Sequence, residues 1–207
     1  MSTSAGDHRT RSRRRGAQLE EAIFAAALAE LQESGYAALS MEAIARRAGT
    51  GKASLYRRWD SRAALMVDAV HALAPRPADI PDTGSLRTDL LEVLRRTAEV
   101  LAGPAGEALR GLLAEALPDA RRLAELRGRS RGSTRQLMRQ VVERAAARGE
   151  IPAGSVRPSR MDVGAAILRS RVLVDAEEPD ELMIVEIVDE ILLPMLRALP
   201  EPPAPSL

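Results

Sequence analysis

The stretch SMEAIARRAGTGKASLYRRWDSRAAL, residues 40–65, decides the reading of this chain. Ser40 is a good helix N-cap, and Met41, Ile44, Ala45 and Ala48 follow it at helical spacing. Gly49 suits the sharp exit from that helix, because glycine tolerates the left-handed conformation. Thr50 or Gly51 then caps a second helix, predicted from about Lys52 to Trp59. Leu55 and Trp59 lie four residues apart on one face, where they meet Ile44 and Ala45. Arg57 falls roughly opposite, with Ala53 near it and Ser54 and Tyr56 flanking. A third helix is capped by Ser61 or Asp60. The second helix is therefore apolar on one side and basic, small and hydroxylic on the other. A helix-turn-helix needs that division: the inner face fixes the angle between helices, and the outer face meets base edges and phosphates. An ordinary helical hairpin with a solvated basic face shares the same charge and period.

The residues themselves separate these readings. AIARRAGTGKASLYRRWDSRAAL, residues 43–65, closely resembles the DNA-binding signature of the TetR family of bacterial repressors. The matching positions are Gly35, Ile44-Ala45, Ala48-Gly49, Leu55-Tyr56, the aromatic Trp59, Ser61, Arg62 and Leu65. Trp59 stands where that family usually has phenylalanine, and Arg62 where it usually has lysine. Both keep the chemistry, a large aromatic anchor and a cation for backbone phosphate. Arg57 and Arg58 occupy variable positions of the recognition helix, so no operator sequence carries over. Further on, DTGSLRTDL (82–90) and ERAAARGEIP (143–152) resemble recurring phrases of one TetR subgroup. The resemblance spans about residues 17–199. It implies an all-α fold with a DNA-binding head, a ligand-binding body and a homodimer interface from the last two helices.

Composition agrees with such a protein. The chain has 207 residues and 45% hydrophobic content, enough for a sizeable core. It has no cysteine, which excludes a disulfide framework, thiol catalysis and cysteine-ligated metal and suits a reducing cytoplasm. No apolar run approaches the ~20 residues of a membrane span, and the arginine-rich start lacks a signal core. Lys52 is the only lysine. Net charge is +1, but residues 1–75 carry eleven cations against eight acids. That excess points the first half towards nucleic acid.

Periodicity divides the rest. Residues 1–16 show no apolar pattern and read as a disordered basic arm of the sort that enters a minor groove, or as a solvated tail. Residues 17–74 form the DNA-binding head, with a first helix from about Ala17 to Glu33 and a last from Ser61 to Ala74. Pro75 to Ser85 holds three prolines and a glycine and marks a linker, assigned to 75–84. Residues 85–199 read as a helical ligand-binding and dimerisation body. Gly128 and Gly132 suggest a break in its long central helix, and Pro194 a kink near its end. Residues 200–207 form a mobile tail. The segment ELMIVEIVDEILLPML (181–196) is apolar nearly all round, which requires either central burial or a subunit interface. Val172, Ile184, Ile187, Val188, Ile191 and Leu192 are the interface candidates.

No catalytic or cofactor pattern appears. His8 and His71 form no constellation, and no phosphate loop or metal-ligand spacing is present, so neither an enzyme nor a metal or cofactor is expected. An unrelated helical enzyme or scaffold is the competing class. Lys52, Arg57 and Arg58 are the candidates for bases. Ser40, Thr50, Ser54, Tyr56 and Arg62 are those for phosphates, and Ala53 lies on the same outer face. The expected partners are a double-stranded, pseudo-palindromic operator and a second copy of the chain. A repressor released by a small effector is the leading form, and a regulator or activator without an inducer is the alternative. Phe24, Tyr36, Tyr56 and Trp59 are all the aromatic residues, and none lies beyond residue 59. An effector pocket in the body therefore has only aliphatic walls, with Arg110, Glu115, Arg169 and Arg171 as polar handles and Leu113 and Met138 as wall candidates. This favours an aliphatic or anionic effector.

Overall fold

The computed structural model describes the backbone of residues 5–154 and 156–198, and their side chains except at 5–15, 77, 120 and 122–133. The described residues are helical throughout, joined by turns, with no strand. Helix α1 spans Ala5–Ala38, α2 Met41–Arg47, α3 Lys52–Tyr56 and α4 Arg62–Leu73. In the second half α5 spans Leu86–Ala102, α6 Pro104–Ala116, α7 Ala120–Ala147 and α8 Val163–Leu173. The last helical run is α9, Glu181–Glu186, then a π-helical segment, Ile187–Leu192, then α10, Leu193–Arg197.

Several boundaries differ from the sequence reading. The backbone expected to be a disordered arm is helical from Ala5 on and continuous with α1. Arginine and alanine are strong helix formers, and the five arginines between residues 9 and 15 offset weak formers such as Gly6, Asp7, Thr10, Ser12 and Gly16. The arginine side chains of this segment lie outside the described residues, as does the tail over 200–207. Gly35, at φ 74° and ψ 165°, interrupts α1 where the sequence ends the first helix, and a short turn of helix follows it to Ala38. Helix α7 runs unbroken through Gly128 and Gly132. Pro194 does not stop the last helix either. The preceding turns shift to π hydrogen bonding, which accommodates a residue that has no N–H to donate.

Ile23, Ala27 and Leu31 of α1, Ile44, Leu55, Leu65 and Met66 make a fully buried core for the head. That core is not closed by α1–α4 alone. Ala108, Leu112 and Ala116 of α6 belong to the same cluster, so α6 lies in the body by sequence and in the head by packing. The linker is likewise partly body. After a single 3-10 turn, Pro77–Asp79, Ile80 is buried at 3% exposure in the body core.

Behind Ile80, the phrases at 82–90 and 143–152 turn out to be one cluster. Arg144 donates to the Ile80 carbonyl at 3.2 Å. Arg148 donates to Asp82 at 2.7 Å, Glu150 at 2.8 Å and Asp89 at 3.2 Å. Asp89 is fully buried and also accepts from the Thr83 amide and hydroxyl, at 2.8 and 2.6 Å. Glu150 accepts from the Leu86 amide and so caps α5 from across the fold, where Ser85 makes no side-chain cap. A buried carboxylate is tolerated only with such partners.

The last helix corrects the interface assignment. Val172 and Ile184 are 3% and 4% exposed within a single chain, and Ile187, Val188 and Leu192 are 0% exposed. Only Ile191 stays half-buried. Val172, Ile184, Ile187, Val188 and Leu192 belong to the body core with α5, α7 and α8, so they are already covered within one chain. Central burial is the solution the fold uses. Ion pairs clamp the edges: Arg87 to Asp189 at 2.7 and 2.8 Å, Arg95 to Glu181, and Arg171 to Glu186 at 2.9 and 3.0 Å. The partner arginines hold Glu181, Glu186 and Asp189 below the usual carboxylate range.

Candidate nucleic-acid interface

The helix-turn-helix is built from local rules. Ser40 caps α2, its hydroxyl accepting from the Ala43 amide at 3.2 Å. Gly49 takes φ 64° at the exit, and the Thr50 amide returns to the Ala45 carbonyl at 3.0 Å. Gly51 is the N-cap of α3, which has five residues and ends at Tyr56, shorter than the segment to Trp59 that the sequence predicts. The chain still turns tightly beyond it, with the Trp59 amide on the Leu55 carbonyl at 2.9 Å.

Leu55 and Trp59 are buried at 0% and 5% exposure. Trp59 meets the Phe24 ring at 5.6 Å between centroids and donates its indole N–H to Asp68 at 2.9 Å. That fixes which way α3 faces. Lys52, Ala53, Tyr56 and Arg57 are exposed away from that core, with Ser54 and Thr50 half-buried beside them, while Arg58 is exposed but turned back towards α1. The division expected from the sequence is present.

The cations on this head differ sharply in freedom. Arg47 is tied to Glu30 at 3.0 Å and to Glu33, whose carboxyl it holds below its usual range. Arg58 pairs with Glu20 at 3.2 Å, and Lys52 with Glu42 while lying 5.5 Å from the Tyr56 ring centroid. Arg46 and Arg57 are exposed and have no ion-pair partner among the described residues.

Arg62 departs most from expectation. Its guanidinium donates to the carbonyls of Ala37 and Leu39, at 3.2 and 2.9 Å, in the α1–α2 turn. It stacks 5.0 Å from the Tyr36 ring and reaches Glu115 of α6 at 3.3 Å. Tyr36 donates its hydroxyl to the same Glu115 oxygen at 3.0 Å, and burial first, then that carboxylate, pushes the phenol well above its usual range. The Tyr36 side chain packs against Gly111, where an added Cβ would stand 2.2 Å from the ring. Arg62, Tyr36, Gly111 and Glu115 thus latch the head to α6. In this arrangement the Arg62 guanidinium is engaged by the protein itself.

The proposed ligand residues are not brought together. Glu115 faces the head, and Leu113 packs half-buried on the head core. Met138 is in the body core at 2% exposure, and Arg171 is paired with Glu186. Arg110 alone lines a body pocket of about 440 Å³, with Leu101, Ala102, Val172, Ala176 and Glu177. Ala176 holds the left-handed φ of 57° there. Sequence reasoning missed the latch and the Lys52–Glu42 pair because the partners lie far apart or off any helical period.

Among the described residues no group of three or more acidic, histidine or cysteine side chains is placed to hold a metal, and no helix is long and apolar enough to cross a membrane. A capped helix-turn-helix with an outward basic face, carried on a helical body, defines a DNA-binding transcription regulator. The chain matches "Bacterial regulatory proteins, tetR family" over residues 23–69 and "Tetracyclin repressor-like, C-terminal domain" over residues 80–191, and it belongs to the TetR family of transcriptional regulators, which are not enzymes. It is 34% identical over 191 residues to the DNA-binding transcriptional repressor TetR of Mycobacteroides abscessus, covering 88% of this chain and 96% of that one. It is 29% identical to an uncharacterized HTH-type transcriptional regulator of Mycobacterium tuberculosis, covering 86% and 87%. Among solved structures it resembles the TetR family transcription regulator SCO0332, with a TM-score of 0.66, 27% identity and coverage of 84% and 97%.

Proposed function

We propose that this regulator is a homodimeric repressor that binds a pseudo-palindromic operator and is released by a small aliphatic effector. One observation carries the DNA half: Arg57, the C-cap of α3, is exposed and has no ion-pair partner among the described residues, next to Tyr56 on the outward side that also carries Lys52. An arginine there is free for bidentate contact with a guanine edge. The 34% identical relative, a repressor by name, supports repression. The site of action is then the cytoplasm. A two-fold protein presents two equal recognition helices, so its site repeats with two-fold symmetry.

The second copy docks on the faces of α8 and α9 that one chain leaves uncovered. Ala166, Ser170 and Val174 run along one side of α8, and Leu182 of α9 is 78% exposed. For the effector, the pocket beside Leu101 and Val172 offers aliphatic walls. Arg110 shares its rim with Glu177 and Glu178, so the walls support the aliphatic reading more than the charge supports an anionic one. Selection of bound DNA from a random duplex pool tests the function. Enrichment of an inverted repeat, bound by a dimer in light scattering, is the expected result. Enrichment of no sequence, or of single half-sites by a monomer, contradicts it.

A further inference from the structure

Four of the six cations between residues 46 and 62 are already neutralised or engaged by the protein itself. Arg47 is held by two carboxylates and Arg62 is inside the latch, so each would have to give up several partners to reach DNA. Arg58 sits on Glu20 at the far end of the turn. Lys52 is different. It is the first residue of α3 and the partner of Glu42 in the first turn of α2, and both side chains are about half exposed. Exposed pairs of this kind cost little to break. Among the described residues Glu42 has no other hydrogen-bonded partner, and the α2 cap is supplied by Ser40 and not by Glu42. Its carboxylate stands on the face that DNA approaches.

We propose that Glu42 is a specificity-determining residue: it withholds Lys52 from DNA that does not fit and yields it to DNA that does. The proposal rests on the reading of this face as the DNA surface. Non-specific binding is driven by cations that displace counterions from phosphates. A lysine already paired to a carboxylate displaces none, and that carboxylate repels a phosphate that comes close without engaging Lys52. In a well-seated complex a base edge or phosphate takes over Lys52 in a charge-assisted bond. Glu42 therefore penalises the loose complex more than the fitted one, which is how an added repulsive element produces discrimination.

The test compares the wild type, Glu42→Gln and the double variant Glu42→Gln/Lys52→Met by salt titration on two probes. One is a mixed-sequence duplex, the other a duplex selected from a random pool by the wild type. Glu42→Gln is expected to bind mixed-sequence DNA about five- to tenfold more tightly per head at 0.1 M salt, which is what one more released counterion gives. Its affinity for the selected duplex should change less than about twofold, so discrimination falls. The double variant should show none of the gain. Equal tightening on both probes, unchanged discrimination, or a gain that survives without Lys52 would each overturn the proposal. A wild type that selects no sequence would instead overturn the reading of the DNA face, and that failure is visible before any variant is made.

Discussion

Helix α3 and the last helical run look alike in one respect: the sequence marks each as a binding face. The fold treats them oppositely. In α3 five residues suffice, because Leu55 and Trp59 sink into the head and leave everything else outside. In the run from Glu181 to Arg197, α5 and α8 close over Ile184, Ile187, Val188 and Leu192, and nothing apolar of that set is left for a partner except the half-buried Ile191. A residue type at the right period tells which side is apolar. It does not tell whether that side is covered from within the chain or from outside it.

The largest effect that sharpens this contrast is Ile187→Asp. At 0% exposure the new charge has no partner, so the body should lose on the order of 3–5 kcal/mol. Chemical denaturation with circular dichroism should show an unfolded or expanded chain and not a folded monomer. Leu182→Asp, 78% exposed, should keep its helical signal and change only assembly. A folded monomeric Ile187→Asp would restore the interface reading.

Next in size is Arg62→Ala. It removes two bonds to the α1–α2 turn and the contact with Glu115, and leaves Tyr36 as the remaining link to that carboxylate. Arg62 is about one-third exposed, so about 1–2 kcal/mol is expected, seen as a lower melting temperature. DNA binding should weaken without a change in which sequences are preferred. An unchanged melting temperature together with a lower salt slope would return Arg62 to the phosphates.

Acid should produce the smallest effect. Glu181, Glu186 and Asp189 have lowered values in the fold because Arg95, Arg171 and Arg87 favour their charged forms. Their contribution is complete above the ordinary values of 4.5 and 3.8 and drains away as pH falls through the lowered folded values. The pairs are exposed, so the loss should be modest and reduced by salt. Equal stability with and without salt above that range would be consistent only with pairs that contribute little.

Much of the head was legible in the sequence because its rules are local. Ser40, Gly49 and Ser61 each act within four residues, and the spacing of Ile44, Leu55 and Trp59 states their shared face. The roles of cations were not legible, since a side chain's partner sits elsewhere in the chain. Arg62 looks like a phosphate ligand until Glu115 arrives from 53 residues away. The phrases around Asp89 and Arg148 could be seen as motifs, but that they are one cluster across 59 residues could be seen only in the fold. Packing across the linker was hidden for the same reason: α6 completes a core whose other helices end before it.

The central claim is that α3 reads bases through its free arginine while the latched one holds the head together. Arg57→Ala, compared with the wild type over a panel of single-base variants of the selected site, tests it most directly. Loss of preference at one position in each half-site, worth about 1–3 kcal/mol, with an unchanged melting temperature, is the predicted result. An Arg57→Ala protein that ranks the panel as the wild type does would contradict the account.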